Sequence, residues 1–158
     1  MKAGPGAQSA IFKRLPTVAK PVNYDIHLKP DLKAFTFHGE ETIRLEITEP
    51  TDFLKLYAKE IAITDASFKS ADGKEFSKLP VSYEEKWNTA SFQLPEVVQP
   101  GQGSLSLTFD GVLNAEMEGF YRSKYTDAIT GEERYMATTQ FEVGVPFEHY
   151  FLYIYTHT

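Results

Sequence analysis

Gln140 and Glu142 are the residues best placed to act on a ligand. They stand two apart, and in an extended segment side chains two apart project to the same face. An amide and a carboxylate presented together offer a mixed donor and acceptor beside an acceptor for a cationic amine. The bland reading makes both of them solvent-facing residues of a strand end, since carboxylates mark sites only probabilistically. The four histidines, His27, His38, His149 and His157, form no His-Glu-x-x-His. That pattern sets two imidazoles one helical turn apart on a zinc ion, with a glutamate between them as general base. His27 and His38 fall on polar faces of strand-like stretches, and His149 and His157 are too far apart for a helical ligand pair. No catalytic residue and no metal ligand is assigned. Nucleophile-elbow, phosphate-loop and dinucleotide fingerprints do not occur either.

The element that must position Gln140 and Glu142 is a hairpin over Gly119 to Glu142. Gly-Phe-Tyr-Arg-Ser-Lys-Tyr and Arg-Tyr-Met-Ala-Thr-Thr-Gln-Phe-Glu are its arms, rich in aromatic and β-branched residues. Asp127 to Glu133 supplies turn chemistry around Thr130-Gly131, longer than a tight two-residue loop. Upstream, Val22, Tyr24, Ile26 and Leu28 alternate with Asn23, Asp25, His27 and Lys29, a half-buried strand. Phe35 to Ile47 alternates for longer, with Gly39 expected to mark a bulge or bend. Phe53 to Tyr57, Ile61 to Lys69 and Val81 to Trp87 read as short strands. Thr89 to Leu94 is another, closed by Pro95, and Gly103 to Phe109 is one more, broken at Asp110-Gly111. Asn114 to Glu118 is the one candidate helical turn, and Met117 is expected to pack. The pattern predicts an all-β fold, a layered antiparallel or mixed sheet of sandwich or saddle-like form.

The chain of 158 residues suits one domain. Its net charge of −6 argues against a nucleic-acid partner. The absence of cysteine excludes disulfides and thiolate metal sites and fits a reducing compartment. No run approaches the roughly 20 apolar residues of a membrane span, and Met1 to Ala10 lacks the apolar core of a signal peptide. A cytoplasmic protein is expected.

Gly-Phe-Tyr-Arg-Ser-Lys-Tyr followed by Thr-Gln-Phe-Glu resembles the N-terminal domain of the zinc aminopeptidases of the aminopeptidase N class, nearest their puromycin-sensitive branch. The Arg14-Leu15-Pro16 lead and the residues Pro21, Asn23, Tyr24, Leu28, Pro30, Asp31 and Leu32 match its first strand and turn. The resemblance implies a hairpin that reaches into the active site of the next domain. There Glu142 grips the α-amino group of a peptide N-terminus, with Gln140 its neighbour in the specificity pocket. The family's Gly-x-Met-Glu-Asn motif is missing, and Glu116-Met117-Glu118 is not a version of it.

The likeness covers residues 14–142, a partial N-terminal β domain, after a flexible lead of residues 1–13. Past Glu142 the family continues through Ala-x-x-Ala-Arg, whereas here residues 143–158 form an aromatic tail that matches nothing in it. That tail either replaces a missing edge strand or is non-native sequence from an alternative exon, and the second is favoured because no turn or cap chemistry marks an ending. The function implied is the front part of a zinc-dependent aminopeptidase, truncated after Glu142. It holds no cofactor itself, since zinc belongs to the full-length family, and it contacts a catalytic domain or parent enzyme. The alternative, from a different class, is a non-catalytic β-sandwich module or interfering isoform that binds a protein partner.

Overall fold

The computed structural model of the chain describes residues 15–117 and 119–140. Ten strands succeed one another: β1 (Ala19–Asp31), β2 (Thr36–Ile47), β3 (Thr51–Tyr57), β4 (Ile61–Lys69), β5 (Glu75–Phe76), β6 (Val81–Glu84), β7 (Thr89–Val98), β8 (Gly101–Val112), β9 (Gly119–Thr126) and β10 (Glu133–Gln140). A 3₁₀ turn, Glu85–Trp87, is the one helical element among the described residues. The strands form a five-stranded sheet in the order β1-β2-β8-β4-β5, a three-stranded sheet β3-β7-β6, and the pair β10-β9. Every strand pair is antiparallel. The expected all-β, layered antiparallel architecture is the one observed.

The two larger sheets share one core. Ile43, Leu45, Leu105, Leu107, Phe109 and Phe68 come from the five-stranded sheet, and Leu54, Leu56, Ala90, Phe92 and Leu94 from the three-stranded one. In β2 the period-two alternation is complete: Phe37, Gly39, Glu41, Ile43, Leu45 and Ile47 are buried, while Thr36, His38, Glu40, Arg44 and Glu46 are exposed. Such alternation is what one covered face of an antiparallel sheet demands.

Gly39 does not mark a bulge. The ladder runs unbroken through Leu28↔Gly39 and Gly39↔Phe109. A Cβ at Gly39 would lie 2.3 Å from the Phe109 ring, and one at Gly111 would lie 2.3 Å from the Phe37 ring. Each glycine is thus the seat of a ring from the neighbouring strand, since Phe37 pairs with Gly111 as Phe109 pairs with Gly39. For the same reason Asp110-Gly111 does not break β8, which continues to Val112. The register shifts lie elsewhere, at Pro21/Asn23, Thr51/Phe53 and Ile63/Asp65.

Other expectations give way to local geometry. The shift at Pro21/Asn23 leaves Val22 66% exposed, off the covered face. Pro95 does not end β7, because it lies between Gln93 and Val98 where the ladder to β3 is irregular and no N–H is needed. The segment Val81 to Trp87 turns into 3₁₀ at Glu85, and Asn88 then takes the left-handed conformation, φ 49° and ψ 47°. Asn114 makes a parallel bridge to Tyr121 rather than starting a helical turn. Met117 is exposed and does not pack.

Replacing Gly39 by alanine would press a methyl group into a ring with no free space. We expect Gly39→Ala to cost about 2 kcal/mol, the range of overpacked cores, read as a lower urea midpoint with an unchanged slope.

Candidate functional site

The hairpin β9–β10 is anchored by its first arm. Phe120 and Tyr121 are buried, while the strand becomes half-buried and then exposed towards Thr126. Phe120 packs edge-on against Phe37 with ring centroids 5.1 Å apart, and Phe37 meets Phe109 at 6.4 Å. Edge-to-face contacts of this kind add stabilisation beyond the area they bury. The glycine-seated ring of the sandwich is therefore also the surface on which the hairpin rests.

A second contact fixes the hairpin's angle. Phe35 adopts φ 57°, a conformation rare for an aromatic residue. Its carbonyl accepts the Leu113 N–H at 2.8 Å. Its ring lies between the Arg122 guanidinium, 4.4 Å from the centroid, and the Tyr135 ring, 4.8 Å away and edge-on. Arg122 also donates to the Leu113 carbonyl through Nη1, and its backbone N–H reaches the Asn114 carbonyl at 2.9 Å. Both arms of the hairpin are thus tied to one ring at the β1–β2 connection.

The distal turn organises itself around Asp127. Its Oδ1 accepts the N–H groups of Ile129 and Thr130 at 2.9 and 3.1 Å, and Arg134 Nη1 stands 3.2 Å from Oδ2. The backbone bonds from Thr130 and Ile129 hold the Asp127 carboxyl below the usual carboxylate range. The hairpin with a loop longer than two residues is as the sequence predicts, with register Glu133↔Thr126 at the tip.

Gln140 pairs with Gly119 at the root of the hairpin, beside Thr139↔Phe120. It is exposed there, next to the aromatic seat. Glu142 lies outside the described residues, as do His149 and His157. His27 is exposed on β1, and His38 Nδ1 is 2.8 Å from Asp110 Oδ1 at the surface. No group of three or more His, Asp or Glu side chains able to hold a metal ion occurs among the described residues. They do not fit a zinc centre. No helix among the described residues is long and apolar enough to cross a membrane.

Beside the strand ends that launch the hairpin, a groove of about 1500 Å³ is lined by Phe37, Ile61, Tyr83, Asp110 and Val112 among others. It exceeds the roughly 300–1000 Å³ of small-molecule pockets. Sequence reasoning gave no signal for it, because its walls come from five separate stretches of chain.

The sequence profile of the Peptidase M1 N-terminal domain matches residues 20–145. The chain belongs to that family. The puromycin-sensitive aminopeptidase of Caenorhabditis elegans is 42% identical over 131 residues, which cover 83% of this chain and 14% of that protein. Aminopeptidase M1 of Arabidopsis thaliana is 40% identical over 132 residues, 82% of this chain and 15% of the relative. The alanine/arginine aminopeptidase of Saccharomyces cerevisiae is 37% identical over 131 residues, 81% of this chain and 15% of the relative. This M1 N-terminal domain therefore spans about a seventh of the length of the aminopeptidases it matches. The resemblance drawn from Gly119 to Tyr125 and from Thr139 to Glu142 is thereby established at the level of the family.

The Arg122–Phe35 stack is open to a double-mutant cycle. Phe35→Leu and Arg122→Gln should each destabilise the chain, with a coupling of about 1 kcal/mol, within the range of cation–π pairs. Additive effects in denaturant unfolding would mean that the stack does not tie the hairpin down.

Proposed function

We propose that this M1 N-terminal domain is the part of an aminopeptidase that holds the substrate's free amino terminus. Glu142 accepts hydrogen bonds from the ammonium group, and Gln140 supplies a donor and an acceptor to the first residue of the peptide. The observation that supports this most is the placement of Gln140 at the hairpin root, one register position from Phe120 and its contact with Phe37. A binding group gains from being held before the ligand arrives, because the ordering cost is already met. Aminopeptidase relatives support peptide substrates as the ligand class.

Holding the amine is only part of the reaction. Hydrolysis requires a water made nucleophilic and a stabilised tetrahedral oxyanion. The described residues offer neither a metal ligand set nor an assigned general base, so those roles fall to another domain of the enzyme. The proposed division runs at Glu142, after the domain of residues 14–142, with residues 143–158 as a tail outside it. A cytosolic location, with peptides as the substrate pool, completes the proposal.

A second reading is favoured by the edges of the fold. Strand β10 pairs only with β9, and β1 only with β2, among the described strands. Uncovered strand edges accept further strands, which is the physical route to a non-catalytic protein-binding module. Loss of a co-purifying partner on deleting residues 143–158 would favour that reading.

The pure chain, loaded with zinc, should not hydrolyse an aminoacyl fluorogenic substrate, and measurable turnover overturns the division of labour. Residues 20–142, set into the C. elegans puromycin-sensitive aminopeptidase in place of its matched stretch, should sustain hydrolysis. In that chimera Glu142→Ala should lower kcat/KM roughly ten- to hundredfold, the range for one charge-assisted hydrogen bond. An unchanged kcat/KM would remove Glu142 from the amine site.

A further inference from the structure

Glu41 is the one charged residue among the described residues that the fold buries fully. It is 2% exposed, and neither carboxylate oxygen has a hydrogen-bond partner among the described residues. It lies on the covered face of β2, in the cross-strand row Ile26–Glu41–Leu107–Ala66. The adjoining rows on that face bring Ile43 and Leu105 on one side and Gly39 under the Phe109 ring on the other.

Among the described residues no cation reaches it. From β1 the residues sharing its face are Tyr24, Ile26 and Leu28, of which only the Tyr24 phenol can ionise. From β8 they are Leu105, Leu107 and Phe109, and from β4 Ala66 and Phe68. The three-stranded sheet contributes Leu54, Leu56, Phe92 and Leu94 to the core. Its ionisable groups are Asp52, exposed, Tyr57, buried in the phenol form, Tyr83, which accepts the Ile63 N–H, Lys55 and Glu84, bonded to each other at 2.7 Å, and Glu96, exposed and paired with Lys74. Burial alone pushes the Glu41 carboxyl up to about 8.

The surroundings of Glu41 are not symmetrical. Towards β8 the row is closed, with Leu107 and Ala66 3% and 1% exposed, whereas towards β1 it opens at Ile26, which is 43% exposed. Among the described strands β1 is an edge strand held by a single ladder, while β8 is held on both sides. An ionised carboxylate seeking water therefore meets the least resistance by displacing β1. We propose that the proton on Glu41 is a latch: while it is present β1 stays closed on β2, and its loss frees the edge strand and uncovers the hydrogen-bonding edge of β2.

The sign follows from linkage. The folded group keeps its proton up to about pH 8, whereas the released group ionises near its ordinary value of 4.5. Opening is thus favoured by rising pH over that interval, by about tenfold per pH unit, and levels off above it. Below 4.5 both forms are protonated and the effect vanishes.

Amide hydrogen exchange on the whole chain, between about pH 5 and pH 9 and corrected for intrinsic exchange, reads this directly. Protection of the β1–β2 ladder should fall about tenfold per pH unit and flatten near pH 8, while the β4–β8 ladder holds its protection. In Glu41→Gln and in Glu41→Leu the β1–β2 profile should be flat, and the leucine variant guards against a loss of folding in the amide one. A wild-type profile as flat as that of the variants, or an equal fall in both ladders, overturns the latch.

Discussion

The contact on which this domain depends is the ring of Phe37 lying on Gly111. It lets two adjacent strands of the five-stranded sheet bring an aromatic side chain across the backbone of the other, with Phe109 on Gly39 as its counterpart. Aromatic rings need area and close contact to return their stabilisation, and a glycine opposite is what leaves the room. Phe37 then presents an edge to Phe120, so that the sandwich core and the hairpin root share one aromatic cluster. Position of the hairpin is in this sense a property of the core, not of the loop that leads to it.

For the proposed function the consequence is a separation between holding and reacting. The hairpin stands on a packed aromatic base and is braced by Arg122 and Tyr135 on the Phe35 ring. Rigid arms suit orientation of a ligand, where a displacement of an ångström matters. They do not by themselves provide the nucleophile or the electrostatic stabilisation that breaks an amide bond. The chain belongs to the Peptidase M1 N-terminal family and spans about a seventh of the length of the aminopeptidases it matches.

Glu41 is the point where the fold departs from that economy. A carboxyl in an apolar row lacks the partners that buried polar groups normally find, and its burial is a cost the surrounding core must offset. The cost depends on protonation, which makes it the one buried feature of the five-stranded sheet able to respond to conditions. It sits one strand in from the edge, so that response is directed at β1 and leaves the aromatic cluster untouched.

Much was legible in the chain itself. Alternation along Phe37 to Ile47 and along Leu105 to Phe109 fixed the covered faces, because a strand has only two sides and a period of two. The aromatic arms around Asp127-Ala128-Ile129-Thr130-Gly131 announced the hairpin, since a short loop leaves neighbouring strands little choice but to pair. Even Glu41 could be read as sharing parity with Phe37 and Ile43. What it meets there could not, because burial and missing partners depend on every strand that packs around it. Gly39 and Gly111 carried the same ambiguity: a glycine in a strand signals either a bulge or a close approach, and only the ring across the ladder decides which. Val22 was misplaced because a bulge at Pro21 shifts the phase, and Pro95 because an irregular ladder tolerates a missing N–H. The seat of the hairpin on Phe35 and Phe37 belongs wholly to the tertiary structure, since it joins residues some eighty positions apart, and no local periodicity records which distant rings will touch.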